Sequence, residues 1–244
     1  MKNIKKSKRI VTVLVITVLM LTGCQQDKQQ AEWENALPIE TVTFQMTPSS
    51  NGVDDFLKSF NNNKEEQNNG SFYNIVPEDI ANNYGINIYK NDSTCYTELA
   101  YDDKTYTLGD YFGGDGATSF AIADLNNDGK FELYFTGSYG SGFPHSQIGY
   151  FDTANKEIVI FDSACLSSDD NTVSIVNYFW GELVLETDSD DALCVYSADY
   201  PINRKSFVDI EMSAGEKIAS VVVENGEMFL VMEEDKLRKE YSMY

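Results

Sequence analysis

Residues 124–132 carry oxygen-bearing side chains at a spacing that suits a hard metal ion. Calcium takes about six to eight oxygen ligands, and alternate side chains on a tight loop can supply several of them. Gly129 stands where such a loop must turn sharply. We therefore predict a calcium site here. Its expected ligands are the side chains of Asp124, Asn126, Asp128 and Glu132 and the backbone carbonyl of Lys130.

The residues on either side of this loop favour strands over helices. Ser119–Ala123 leads into it and Phe131–Thr136 follows it, and both runs are rich in apolar and β-prone residues. An EF-hand would need a glutamate at its twelfth position, which is Phe135 here. We expect a calcium loop at a β-hairpin. The alternative is an acidic turn that binds no ion.

The stretch Ala121–Leu133 resembles FG-GAP and VCBS-type repeats, and it is similar to loops in exported proteins of low-GC Gram-positive bacteria. The resemblance covers about fifteen residues. It implies a structural calcium ion that stiffens the domain. The motif occurs once, whereas those families usually repeat it. Asn126 at position three and Glu132 at position nine depart from the usual acids, but both keep an oxygen ligand.

A second candidate region follows the calcium loop. The only histidine, His145, lies within residues 140–146, for which we predict a surface loop. We expect His145 and Ser146 to contact a ligand there. A catalytic triad would also need an oriented base, an acid and an oxyanion hole, and no GxSxG motif occurs. We therefore predict no catalytic residues and no enzymatic activity.

The N-terminal segment predicts export and lipid attachment. Basic residues at positions 2–9 precede an apolar run from Ile10 to Leu21, which is shorter than the roughly 20 apolar residues of a spanning helix. Leu21–Cys24 resembles a lipobox, at which Cys24 receives a diacylglycerol and the chain is cut before it. Two acyl chains hold a protein stably at a bilayer. We expect residues 1–23 to be a signal peptide and 24–38 a flexible tether.

Charge narrows the range of partners. Beyond residue 23 the chain carries 13 basic and 39 acidic side chains, a formal net charge of −26. Such acidity argues against nucleic acid and against attraction to an anionic bilayer. The negative charge suits cation binding. The alternative is that it only keeps the protein soluble. Acidic stretches such as Asp188–Asp191 are predicted to be solvated turns, and a second, weaker cation site is an alternative there.

Three cysteines remain beyond Cys24. Because the number is odd, at most one disulfide can form among them. Each lies among apolar or β-prone neighbours, so we expect buried small hydrophobic residues. These cysteines are Cys95, Cys165 and Cys194.

Residues 39–244 predict a single, mostly β domain. Short runs rich in Val, Ile, Tyr, Phe and Thr recur from Ile86 onward, with turn signals between them. We expect mainly antiparallel sheets and one or two short helices near the N-terminal part, at Val53–Phe60 and Pro77–Gly85. Residues 61–70 predict an Asn-rich loop. Predicted strands include Ile39–Met46 and Phe207–Met212.

Similar segments recur at intervals of about 45 residues, a period typical of propeller blades. A propeller-like arrangement of three or four blades is therefore one architecture, and a simple antiparallel meander is the other. The segments are Ile86–Tyr89, Glu132–Phe135, Glu182–Leu185 and Glu227–Leu230.

Together these features predict a lipoprotein anchored at the outer face of a cell membrane, more consistent with a Gram-positive than a Gram-negative cell. We expect a calcium-stabilised domain for binding or adhesion, with an unidentified protein or glycan as its ligand. The alternatives are an accessory subunit of an envelope complex and, less favoured, a hydrolase acting on the cell wall or on glycans.

Overall fold

The computed structural model describes residues 39–49, 70–109, 113–140, 145–161, 182–199, 206–224 and 227–232. The predicted signal peptide, lipidated Cys24, the tether, the Val53–Phe60 helix and Cys165 lie outside these residues, as does the Asn-rich loop except for Gly70. The described strands, in chain order, are β1 (Val42–Gln45), β2 (Phe72–Asn74), β3 (Ile86–Asn91), β4 (Thr97–Tyr101), β5 (Lys104–Thr107), β6 (Gly116–Ala123), β7 (Glu132–Tyr139), β8 (His145–Asp152), β9 (Glu157–Ile160), β10 (Leu183–Thr187), β11 (Leu193–Asp199), β12 (Ser213–Glu224) and β13 (Glu227–Met232).

One helix, α1 (Glu78–Tyr84), is present in the described part of the chain. Pro77 precedes it, and Gly85 ends it in the left-handed conformation, with φ of 65°. The Gly85 amide donates to the carbonyl of Ala81 at 2.9 Å, which satisfies one of the free carbonyls at the helix end. The helix predicted at Pro77–Gly85 is thus confirmed, and its buried Ile80 faces the core.

The strands form three antiparallel sheets. The first sheet has the order β2-β3-β4-β5, the central sheet β1-β6-β7-β8-β9, and the third sheet β10-β11-β12-β13. The described part of each sheet contains a meander in which sequential strands pair, because short turns favour antiparallel neighbours. The prediction of a mainly antiparallel β domain is confirmed.

The segments that recur every 45 residues do not occupy equivalent places in these meanders. Ile86–Tyr89 and Glu132–Phe135 lie in β3 and β7, each the second strand of its meander. Glu182–Leu185 runs into β10, the first strand described in the third sheet, and Glu227–Leu230 lies in β13, the last. The sequence spacing therefore does not mark a blade, and a propeller is not confirmed.

The central sheet is buried on both faces. In β6, Phe120 and Ile122 pack with residues of the first sheet and with α1, whereas Ala121 and Ala123 pack with residues of the third sheet. This follows from strand geometry, in which successive side chains point to opposite faces. All eight residues of β6 are buried, so its sequence is nearly continuous in small and apolar residues.

One strand prediction was wrong, and one described strand was not predicted. Phe207–Met212 is irregular apart from an isolated bridge between Ser206 and Asp209. Its alternating residues are buried, but Val208 joins the core beside the first sheet while Ile210 and Met212 pack with Val184 of the third. Burial against two different sheets produced the strand-like pattern. Conversely, β2 has only three residues and gave no clear periodic signal.

Polar side chains tie the outer sheets to the central one. From the first sheet, the buried ammonium of Lys90 donates to the carbonyls of Asp115 and Ala117 at 2.5 and 2.6 Å. It also donates to Thr97 Oγ1 at 3.3 Å. The β6–β7 register shifts between Ala117 and Ser119, and the lysine bonds the carbonyl at this irregularity. A buried charge is tolerated only when it is hydrogen-bonded in this way.

The third sheet is held by a buried acid. The carboxylate of Glu182 accepts hydrogen bonds from Thr118 Oγ1, at 3.1 Å, and from the Ser138 hydroxyl. Beside it, Thr136 Oγ1 donates to the carbonyl of Leu183 at 2.6 Å, and the Leu185 amide donates to Ser119 Oγ at 2.9 Å. These bonds define how β10 lies against β6 and β7.

Replacement of Lys90 by methionine tests the first of these ties. Lys90→Met preserves most of the side-chain volume but leaves buried carbonyl oxygens without a donor, so we expect a loss of about 2–4 kcal/mol in the free energy of unfolding. Urea denaturation measures this loss. The exposed Lys104 offers the control, because Lys104→Met should change stability by no more than about 0.5 kcal/mol. Equal effects of the two substitutions would contradict a structural role for the Lys90 ammonium.

Candidate metal centre

The predicted calcium loop connects two buried strands of the central sheet. Ala123 at the end of β6 pairs with Glu132 at the start of β7, so the hairpin closes immediately beyond this pair. Within the loop, Asn127 and Gly129 adopt positive φ angles of 58° and 80°. Both residue types tolerate this region better than most. The prediction of a loop at a β-hairpin is confirmed.

Backbone amides fold the acidic side chains back over the loop. The Asp128 amide donates to Asp124 Oδ1 at 3.0 Å and to Asn126 Oδ1 at 2.9 Å. Gly129 N–H donates to Asp124 Oδ2 at 3.0 Å, and Lys130 N–H to Asp128 Oδ1 at 2.8 Å. Short Asp and Asn side chains form such local bonds readily. These hydrogen bonds orient the side chains of Asp124, Asn126 and Asp128 without an ion.

Three of the predicted ligands converge. One carboxylate oxygen each from Asp124, Asp128 and Glu132 can be chosen so that all three lie within 4.8 Å of one another. Asp124 and Asp128 are partly exposed, and Glu132 is buried. A set made only of oxygens matches the preference of hard cations such as Ca²⁺. The residues therefore fit a cation. Their carboxylates supply negative charge, and the partly exposed Asp124 and Asp128 leave the cluster accessible to solvent.

Asn126 and Lys130 are less clearly placed as ligands. Asn126 Nδ2 donates to Glu132 Oε1 at 2.8 Å, so its nitrogen faces the carboxylate and its oxygen accepts the Asp128 amide. Ligation by Asn126 would require the amide group to turn. The Lys130 side chain is exposed, and its backbone N–H bonds Asp128. Ligation by the Lys130 carbonyl stays a prediction.

Glu132 is the electrostatically strained member of the cluster. Burial, with a smaller contribution from the nearby Asp124 and Asp128 carboxylates, raises its pKa to about 7 against opposing hydrogen bonds. Those bonds come from the Leu125 amide at 3.4 Å and the Tyr134 hydroxyl at 3.3 Å. Burial also raises the pKa of the Tyr134 phenol, so it stays protonated and donates. A cation would favour the charged form of Glu132.

The exit of the loop is anchored by aromatic packing and by a neighbouring turn. The Phe131 ring makes edge contacts with Tyr84 of α1 and Tyr101 of β4, at centroid distances of 5.4 and 5.9 Å. Thr153 donates its hydroxyl to the Phe131 carbonyl. These contacts fix the backbone of Phe131 between Lys130 and Glu132, and therefore limit where the Glu132 carboxylate can lie.

The second predicted region differs from its expectation. His145 and Ser146 are the first two residues of β8, opposite Tyr139 and Ser138 in β7, and are not part of a surface loop. Ser146 is buried. The continued pairing of β7 with β8 extends the strand past the glycine-rich turn signals, which misled the sequence interpretation. A role for this pair in ligand contact stays a prediction.

Buried polar groups that sequence reasoning missed lie elsewhere. No sequence signal marks Lys90 as buried, because it directly follows the apolar segment Ile86–Tyr89 and a lysine usually points to solvent. The turn at Asp188 also differs from a simple solvated turn. Asp188 Oδ2 accepts from Lys217 Nζ at 2.8 Å, which lowers the pKa of Asp188 and raises that of Lys217. The Lys217 ammonium thus supplies a positive charge at Asp188. The alternative of a second, weaker cation site at Asp188–Asp191 stays a prediction.

The cysteines behave as small buried residues where they are described. Cys95 and Cys194 are both buried. The Cys194 thiol lies 3.3 Å from the carbonyl of Ala192 and 3.5 Å from Ser220 Oγ. The expectation of buried small hydrophobic residues is confirmed for these two.

In comparisons with protein-family models, curated proteins and solved structures, nothing matches this chain. Among the described residues, no helix has the length and apolarity needed to cross a bilayer. Inference about function therefore starts from the residues and contacts of this molecule.

The raised pKa of Glu132 predicts how the metal-free domain responds to pH. The folded-state pKa of about 7 exceeds the ordinary value of 4.5, so the folded protein holds a proton that the unfolded chain releases between these values. Unfolding free energy should therefore fall as pH rises from about 4.5 to about 7, by on the order of 2–3 kcal/mol from this group.

Urea denaturation with a chelator present, at pH 5 to 8, measures this dependence. Glu132→Gln mimics the protonated carboxyl and should lack the component, so the difference in stability between wild type and variant should move in favour of the variant as pH rises. A difference that stays constant with pH would show that Glu132 is not strained in the metal-free state.

Proposed function

We propose that this chain is a lipid-anchored extracytoplasmic protein whose β domain binds one calcium ion at Asp124–Glu132 and serves in binding or adhesion. The observation that carries the calcium assignment is the convergence of three carboxylates within 4.8 Å on a hairpin loop. The likeness of Ala121–Leu133 to FG-GAP and VCBS-type loops supports the same ion. The lipobox-like Leu21–Cys24 supports the anchor.

Uncompensated negative charge at the Asp124–Glu132 loop favours a calcium ion there. Glu132 is 1 % exposed, and one carboxylate oxygen each of Asp124 and Asp128 lies within 4.8 Å of its own. Like charges at this separation oppose one another, and burial makes the opposition stronger. A divalent ion compensates all three. Calcium fits better than magnesium, because Mg²⁺ demands a near-ideal octahedron and retains its waters, while Ca²⁺ accepts irregular oxygen sets.

The ion acts on stability rather than on a reaction. The loop joins β6, which is fully buried, to β7, which is buried except at Tyr139. At the loop exit, the Phe131 ring packs against Tyr84 and Tyr101. A ligand that binds only the folded state raises stability with concentration. The calcium ion thus holds a scaffold whose binding surface contacts an unidentified protein or glycan. The net negative charge of the chain favours a partner other than nucleic acid.

Thermal melting with calcium tests the metal centre. We expect millimolar CaCl₂ to raise the melting temperature of the wild type by several degrees, since binding at about 100 times Kd adds about 2.7 kcal/mol. Asp128→Ala should abolish most of this increase. Asp190→Ala is the matched control, because it also removes one acid from a hairpin turn, and it should keep the full response. An equal response in all three proteins would exclude the loop as the binding site.

Replacement of Cys24 tests the anchor. In a bacterial host the wild-type chain should partition into the detergent phase of a Triton X-114 extract, because two acyl chains bind a bilayer stably. Cys24→Ser removes the thiol that accepts the lipid, so the variant should appear in the aqueous phase or keep its leader. Cys95→Ser, which alters a buried thiol of the domain, should partition like the wild type. Detergent-phase recovery of mature Cys24→Ser would contradict lipidation at this residue.

A further inference from the structure

The dipeptide Asp-Gly occurs twice in this chain, at Asp115-Gly116 and at Asp128-Gly129. In such a dipeptide the amide nitrogen of the glycine can attack the side-chain carboxyl carbon of the aspartate, because glycine has no Cβ to hinder the approach. Closure of the resulting ring requires the main chain and the carboxyl group to reorient. The two dipeptides have the same intrinsic chemistry, so the structure around each one decides whether it reacts.

The Asp128-Gly129 dipeptide lies in the open part of the hairpin loop between β6 and β7. Gly129 is exposed and Asp128 is partly exposed. Gly129 has a φ of 80°, and a Cβ added to it would meet no atom beyond its chain neighbours within 4 Å. The main chain can therefore reorient at this glycine without displacing other residues.

The hydrogen bonds of the loop favour the attack. Asp128 Oδ1 accepts from the Lys130 amide at 2.8 Å, which folds the carboxyl group back over the intervening peptide and its Gly129 nitrogen. A donor at this oxygen also stabilises the negative charge that develops on it during attack. The Gly129 N–H donates to Asp124 Oδ2 at 3.0 Å, so the hydrogen that leaves the nitrogen already faces an acceptor.

The same dipeptide at Asp115-Gly116 is enclosed. Asp115 is fully buried, its amide donates to Ser138 Oγ at 2.9 Å, and its carbonyl accepts from Lys90 at 2.5 Å. A Cβ on Gly116 would lie 1.9 Å from the carbonyl oxygen of Cys95. Reorientation of the main chain here would break these contacts, so the ring closes only if this part of the central sheet unfolds.

We infer that Asp128 is a modification site, at which the chain isomerises spontaneously to isoaspartate. The Gly129 nitrogen bonds to the side-chain carboxyl carbon of Asp128. The hydroxyl of that carboxyl group, in its acid form, leaves with the amide hydrogen as one water molecule. A second water then opens the cyclic imide. Opening at the main-chain carbonyl gives isoaspartate, whereas opening at the other carbonyl restores aspartate, and neither step needs an oxidant or a partner molecule.

The product has a different main chain. Isoaspartate places the Cβ of residue 128 in the backbone and leaves the carboxylate directly on its Cα, so the loop becomes one atom longer. The hydrogen bond from the Lys130 amide to the Asp128 side chain is then lost. The inference does not depend on the calcium site, although the same change removes one of the candidate calcium ligands.

Prolonged incubation of the full chain in neutral buffer at physiological temperature tests the inference. A chelator is included so that no cation holds the Asp128 carboxylate. Trypsin releases both dipeptides in one peptide, residues 105–130, because no lysine or arginine lies between Lys104 and Lys130. Electron-transfer fragmentation then locates isoaspartate within this peptide. We expect at least about ten times more isoaspartate at Asp128 than at Asp115, because the buried site reacts only through rare opening.

Unfolding and a single variant serve as controls. In urea the two dipeptides lose their different surroundings, so their isoaspartate contents should agree within about twofold. Asp128→Glu keeps the carboxylate but would have to close a larger ring. It should therefore give no isomerised product at position 128.

Incubation continues until the urea-treated sample contains isoaspartate at both positions. A folded sample with equal amounts at Asp115 and Asp128, or with none at Asp128, would overturn the inference.

Discussion

Burial of the central sheet on both of its faces is the constraint on which the rest of the structure depends. Strand β6 exposes none of its eight residues, so its polar groups have to find partners inside the protein. Lys90 from one side and Glu182 from the other supply them. Each is a charged side chain at a buried position where a hydrophobic residue is usual. Each is stabilised there by several hydrogen bonds.

The same constraint explains the character of the hairpin between β6 and β7. At the Ala123 end of β6 the chain reaches solvent, and the acidic loop begins at that point. Glu132 is the exception, because it starts β7 and is buried with the strand. Its carboxylate brings negative charge to the edge of the core, beside two further acids. A positive charge at the loop would therefore stabilise these carboxylates, because the packing of the strands keeps Glu132 buried beside the other two.

Much of the candidate metal centre was predictable from the sequence, because its residues are close together in the chain. Alternate acids, a glycine at the turn and apolar flanks all lie within about a dozen consecutive residues, and backbone geometry makes them converge. Helix α1 was predicted for the same reason. The strand prediction for Phe207–Met212 was wrong because its alternating burial comes from packing against two different sheets. Strands β7 and β8 are longer than predicted, because their pairing with each other outweighs the turn-forming residues around His145.

By itself the sequence determined the antiparallel β class, the end points of α1 and the position of the candidate ligands at a hairpin. These depend on residue periodicity and on contacts between near neighbours in the chain. The tertiary structure alone decided which faces of the sheets meet, that Lys90 and Glu182 are buried, and that Asp188 bonds Lys217. It also decided that Glu132 is strained and linked to Tyr134. Burial and long-range pairing set these features, because neither the desolvation of a charge nor its distant partner is encoded in the residues adjacent to it.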